Sequence, residues 1–224
     1  MTKDSEQPLA IEALCREATT CRVCFDHGTI TAPTIDIAQP RWIGNGYWTS
    51  SPRVCVVMLN PGAGGDHNAD ANRQMHAVLQ RFRSGETGLD AVFRFQRDDF
   101  ANWGNPPGRF LNFFRTFGLD IDGIALANIA WCATTGNRYP RWMLDKCMQR
   151  FTGRLIEQLR PDVVMLSGSR VHAYDVDVGR LAPNACVFPT LHYAHRQGHE
   201  VEAREARKFR ELLAAWRAKK IQGG

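Results

Sequence analysis

The chain has 224 residues, 44% hydrophobic and 23% charged, ordinary for a soluble globular protein and the length of one α/β domain with modest extensions. A net charge of +5 suits a polyanionic partner without requiring one, while the lack of any apolar run of ~18 residues excludes a membrane span. Met1 to Ala10 holds acids and glutamine but no apolar core of a signal peptide, so a cytoplasmic chain is expected, and its seven cysteines argue against a disulfide framework.

In chain order, Leu9, Ile11, Leu14 and Ala18 predict a short amphipathic helix over Pro8 to Ala18. Thr19 to Ser51 has no clean period and carries Pro33, Pro40 and Gly44 to Gly46, which reads as loop with short strands. Val54 to Leu59 is a continuous apolar run stopped by Asn60-Pro61-Gly62, a buried strand entering a tight turn. Ala69 to Arg83 is helical, and the polar stretch from Ser84 to Gly104 is expected to complete a surface insertion over residues 66–104. Gly108 to Phe117 spaces its phenylalanines helically, and Ile124 to Trp131 is a second buried strand. Arg141 to Leu159 forms one helix on the stripe Leu144, Met148, Phe151, Leu155 and Leu159. Val163 to Leu166 and Cys186 to Phe188 are the third and fourth strands, with a helix between them ending near Leu181. Ala203 to Lys219 closes the chain as a charged amphipathic helix.

Strands alternating with helices imply right-handed crossovers and a central parallel sheet of four strands. Ligands of such sheets gather at the strands' carboxyl ends. Those ends are followed by Asn60-Pro61-Gly62, Cys132, Ser167-Gly168 and His192.

Val56-Val57-Met58-Leu59-Asn60-Pro61-Gly62 resembles the first motif of the mismatch-type uracil- and thymine-DNA glycosylases, and Asn105-Pro106-Pro107-Gly108-Arg109-Phe110 resembles the segment that follows it there. Further on, Leu126 to Cys132, Gly136-Asn137-Arg138, Cys147, Gln158-Leu159-Arg160-Pro161 and Gly168 resemble the iron–sulfur uracil-DNA glycosylases, with Cys21-x-x-Cys24 where their first cysteine pair lies. The resemblance covers almost the whole chain. It implies a single domain over residues 1–224, a three-layer α/β/α sandwich of the uracil-DNA glycosylase kind, with residues 1–50 supplying an N-terminal helix and cluster-ligand segment. Two departures stand out: that iron–sulfur branch has Glu-Ala-Pro-Gly at the first motif and His-Pro at the last, where this chain has Asn60 and His192-Tyr193-Ala194-His195.

Under this resemblance the expected activity is monofunctional excision of uracil, or a related deaminated base, from DNA, with water as the nucleophile and base excision repair as the outcome. No lysine occupies a recognised nucleophile position, so strand cleavage through a Schiff base is not expected. The base is extruded from the stack, leaves as an anion, and water attacks the sugar. Asn60 is the candidate to hold the water, although an amide cannot take a proton as a carboxylate can. Asn128, interrupting an apolar strand, is the candidate to read N3–H and O4 of uracil. His192 would stabilise charge at O2 as a neutral donor, with His195 and His199 as rivals for that role. Trp103 or Phe110 would stack on the base, Phe110 fitting a core stripe equally well. Gly62 and Gly168 with Ser169 would admit close backbone approach to the base or to phosphate, and Tyr193 and Arg196 would contact DNA.

Cys21, Cys24, Cys132 and Cys147 match the branch's four cluster ligands in order, and four thiolates suit a [4Fe–4S] cluster or, as the alternative, zinc. Cys55 and Cys186 read as core residues, and Cys15 as a poorer-spaced rival ligand. The expected partner is uracil-containing DNA, met by a nucleoid-associated monomer. The alternative is a protein of the same kind that binds uracil or abasic sites with little or no turnover.

Overall fold

The computed structural model describes residues 3–27, 35–61 and 69–222. Four strands, β1 (Val54–Met58), β2 (Ile124–Asn128), β3 (Val163–Ser167) and β4 (Cys186–Thr190), form one parallel sheet in the order β2-β1-β3-β4. Helices flank it: α1 (Lys3–Thr20), α2 (Val23–Asp26), α3 (Ala69–Ser84), α4 (Leu89–Asp99), α5 (Arg109–Thr116), α6 (Arg141–Cys147), α7 (Gly153–Leu159), α8 (Asp175–Leu181) and α9 (His199–Gln222). The α/β class and the four-stranded parallel sheet agree with the pattern of the sequence. Among the described residues no helix is long and apolar enough to cross a membrane.

All five residues of β1, β2 and β3 are buried, as strands covered on both faces require, and this is why they read as continuous apolar runs. β4 alternates less cleanly and places exposed Pro189 opposite Leu166. Proline donates no ladder hydrogen bond, so this strand belongs at an edge. At the opposite edge, Ile43 makes one antiparallel bridge to Ala125.

The chain groups into two compact units. One holds Met1–Trp42, Leu59–Asp98 and Ala127–Leu159; the other holds Ile43–Met58, Asp99–Leu126 and Arg160–Gly224.

In the first unit, α1 runs beyond the expected Pro8 to Ala18 at both ends. The stretch expected to be a polar insertion contains α4, which buries Leu89, Val92 and Gln96. Gln96 earns its buried place by hydrogen bonding: its Nε2 donates to the Pro40 carbonyl at 2.6 Å and its Oε1 accepts from Trp42 N–H at 3.0 Å. The single helix expected over Arg141 to Leu159 is interrupted by a π turn, Met148–Thr152. Thr152 explains the interruption locally, because its hydroxyl donates to the Asn128 carbonyl at 2.7 Å and accepts from the Trp131 indole at 3.0 Å. In the second unit, Phe110, Phe113, Phe114 and Phe117 pack ring on ring, and Phe117 meets Phe209 of α9 at 5.8 Å.

Candidate functional site

The segment after β1 belongs to the first unit. The Leu59 carbonyl accepts from Ala130 N–H at 2.8 Å. β2 ends at Asn128 rather than at Trp131. Asn60 is half-buried, and its Nδ2 donates to Asn137 Oδ1 at 3.2 Å. Asn137 reaches it from a turn in which Gly136 (φ 69°) and Asn137 itself (φ 55°) are both left-handed, a conformation that glycine adopts freely and asparagine tolerates. The buried Tyr139 hydroxyl lies beside Thr134 and Asn60. Burial pushes this phenol up, and the contacts with Thr134 and Asn60 partly oppose the push.

Asn128 is 1% exposed, so its amide must be hydrogen-bonded or cost a few kcal/mol. Its neighbours fix its orientation. Arg41 Nε, a donor only, stands 2.8 Å from one amide atom, which must be Oδ1; the Ala127 carbonyl, an acceptor only, lies 3.1 Å from the other, which must be Nδ2. The same Oδ1 lies 3.1 Å from Pro61 N. That nitrogen carries no hydrogen, so the approach is a packing contact. Asn128 thus rests against the peptide joining Asn60 to Pro61. Gly62 lies outside the described residues.

The cysteines of this unit are all free thiols. Cys24 is within hydrogen-bond reach of both Cys132 and Cys147, and Cys21 is near enough to act on it electrostatically. The Cys132 contact chiefly raises the Cys24 thiol to about 12, with the Cys147 contact working against it and burial adding to the rise. These contacts are pairwise through Cys24. Among the described residues no three His, Cys, Asp or Glu side chains converge on a single metal position. Cys15 is fully buried, and burial pushes its thiol well up. In the second unit Cys55 is equally enclosed, at about 12, whereas Cys186 is only half-buried.

The second unit holds the segments after β3 and β4. Gly168 follows β3 with φ 109°, a backbone that favours glycine, and a Cβ there would sit 3.4 Å from the Cβ of His192. Ser167 Oγ donates to the Leu191 carbonyl at 2.9 Å, and Gly168 N–H to the Thr190 carbonyl at 2.9 Å, tying the two segments together.

His192 accepts from Ala194 N–H through Nδ1 at 3.2 Å. The ring proton therefore resides on Nε2, which is a donor. Burial, and secondarily the charge of His195, holds the imidazole down to about 4, so it is neutral across the physiological range. Its ring lies 4.3 Å from Tyr193, which stands edge-on to Phe110 at 5.0 Å.

Phe110, expected either to stack on a base or to fill the core, is a core residue. It is 0% exposed and ringed by Phe100, Trp103, Phe114 and Tyr193 at 4.9–5.1 Å. Trp103 retains exposed surface, and its indole N–H donates to Asp99 Oδ2 at 2.8 Å. Ser169 and Arg196 are exposed, as DNA contacts would be and as ordinary surface residues also are.

His195 has a different job from His192. Its Nε2 lies 2.8 Å from Glu202 Oε2, its Nδ1 accepts from Gln197 N–H at 3.1 Å, and both His195 and Glu202 are buried. Arg109 forks onto Glu202, with Nη1 3.2 Å from Oε1 and Nη2 on Oε2. Burial works against the Glu202 charge, but Arg109 and His195 outweigh it and hold the carboxyl below its usual range. The network joins α5, the loop after β4 and α9. His195 is committed to it, whereas the other rival, His199, stands exposed at the start of α9.

Sequence reasoning missed Arg41, Tyr139 and the Arg109–Glu202 pair. Arg109 and Glu202 are 93 residues apart and carry no local signature. Asn137 stood in the Gly-Asn-Arg segment, but its contact with Asn60, 77 residues away, carried no local signal. No protein-family model and no curated protein matches the chain, so the residues themselves carry the functional reading.

Proposed function

We propose that this chain is a uracil-DNA glycosylase-like protein, with that superfamily's three-layer arrangement, which extrudes uracil or a related deaminated base from DNA and hydrolyses its glycosidic bond. The observation that supports this most is the packing of Asn128, the amide proposed to read the base, against the peptide that follows Asn60, the amide proposed to hold water. Asn60 Nδ2 donates to Asn137, and its Oδ1 is the atom assigned here to orient water.

Water adds to C1′ as the C1′–N1 bond breaks. The bond's electron pair leaves with the base, and charge grows at O2. His192 Nε2–H donates a hydrogen bond to that charge without transferring its proton. The proton shed by water goes to solvent, because an amide cannot accept it. This favours a second reading, binding of uracil or abasic sites with little or no turnover.

Incubation with uracil-containing single- and double-stranded oligonucleotides, followed by alkali, separates the two. Strand breaks at uracil support excision. A band shift without breaks supports binding alone, and neither signal rules out both.

The cysteine contacts fit a thiolate-held group in part. Cys21, Cys24, Cys132 and Cys147 would hold it, and its chemistry would be structural, clamping the N-terminal segment to the end of β2 and to α6. A [4Fe–4S] cluster is proposed and zinc is the alternative. Brown protein with stoichiometric iron and sulfide is the expected result; colourless protein carrying zinc would replace the cluster, and metal-free protein would remove both.

A further inference from the structure

We propose that Arg41 is a positioning residue that sets the direction of the Asn128 amide and thereby fixes which base that amide accepts; this rests on the reading of Asn128 as the base-contacting amide. An asparagine amide is nearly symmetric in shape and opposite in chemistry at its two ends. Rotated by a half-turn, the same side chain that matches uracil would match cytosine, whose N3 accepts and whose N4 donates. Asn128 cannot discriminate alone. Something must hold the rotation.

Arg41 does so. It is buried, 5% exposed, and its Nε lies 2.8 Å from Asn128 Oδ1. A guanidinium has donors and no acceptor, so a half-turn would bring the NH₂ group of Asn128 against N–H and break the bond from Nδ2 to the Ala127 carbonyl as well. Two buried mismatches then oppose the reversed amide. Among the described residues Oδ1 accepts one hydrogen bond and Nδ2 donates one, so each keeps capacity for a second. Together they present an acceptor beside a donor, the complement of a base with an imide N–H next to a carbonyl. The ligand class that follows is the oxo base: uracil, and by the same edge hypoxanthine or xanthine, against the amino bases cytosine and adenine.

Two measurements test this. The first is the ratio of dissociation constants for single-stranded oligonucleotides carrying one 2′-fluoro-2′-deoxyuridine or one 2′-fluoro-2′-deoxycytidine, which resist cleavage. Arg41→Met, which keeps the bulk and loses the donors, should shrink the preference for uracil by about tenfold or more. Arg41→Lys, which keeps a donor, should retain more of it.

The second measurement needs no DNA. In protein labelled with ¹⁵N-asparagine, the Asn128 side-chain NH₂ pair, identified by its loss in Asn128→Asp, should exchange slowly with solvent in the natural protein and at least tenfold faster in Arg41→Met. An unchanged base ratio in a variant that still binds overturns the proposal, as does unchanged exchange. If the natural protein binds neither oligonucleotide, the uracil reading fails, and the exchange measurement still decides whether Arg41 holds the amide.

Discussion

The segment after β1 and the segment after β4 are fixed by different chemistry. Asn60 is held amide to amide by Asn137, and Asn128 by a guanidinium N–H and a backbone carbonyl. The loop bearing His192 is held by a buried carboxylate shared between Arg109 and His195. Amide contacts carry direction: each neighbour dictates which end of an amide faces it. A buried ion network carries no such information about His192 itself, but anchors the loop firmly while leaving that imidazole uncharged. Reading a base edge requires direction, and presenting one neutral donor requires only a steady loop.

The largest effect should come from breaking the ionic anchor. Glu202→Ala strands Arg109 and His195 without their carboxylate and should lower unfolding free energy by about 3–5 kcal/mol in urea denaturation. A change below 1 kcal/mol would mean that the loop is held by other contacts.

Next in size are the residues given chemical roles. Asn60→Ala and His192→Ala should each slow uracil release by roughly 10- to 1,000-fold in single-turnover kinetics. A variant with an unaltered rate loses its assigned role. Gly168→Ala is expected to cost about 1–2 kcal/mol, since a left-handed backbone is imposed on a residue with a Cβ.

The smallest effect lies in pH dependence. His192 in the folded chain sits at about 4, against about 6.5 when unfolded. The unfolded state binds more protons between those values, so stability should rise with pH across that window. Glu202 is displaced the same way for the opposite chemical reason. Its carboxyl lies below the ordinary range, so its contribution is complete above that range and is lost as pH falls through the folded value. A series of melting temperatures should therefore show His192→Asn flattening the slope between about 4 and 6.5 while the more acidic loss persists. An unchanged slope in His192→Asn would show that His192 is not the group responsible.

The sheet was legible because strands covered on both faces must be apolar throughout, as β1, β2 and β3 are. Helix α4 was not, because its buried face includes Gln96, whose partners Pro40 and Trp42 lie more than fifty residues earlier. The π turn after α6 was hidden for the same reason, since Thr152 answers to Asn128 and Trp131 and not to its own helix. In the site, turns advertised themselves through Asn60-Pro61, Gly136-Asn137 and Gly168. The partners that give those turns a direction are distant in sequence. Arg41 meets Asn128, and Arg109 meets Glu202, through contacts that no spacing rule encodes.

The most direct test is chromatographic detection of the free base after incubating the protein with an oligonucleotide holding a single uracil, beside one holding cytosine at the same position. Release of uracil and not cytosine, abolished together by Asn60→Ala and His192→Ala, is the predicted result. Absence of released uracil, with no tighter binding to the uracil strand than to the cytosine strand, would contradict it.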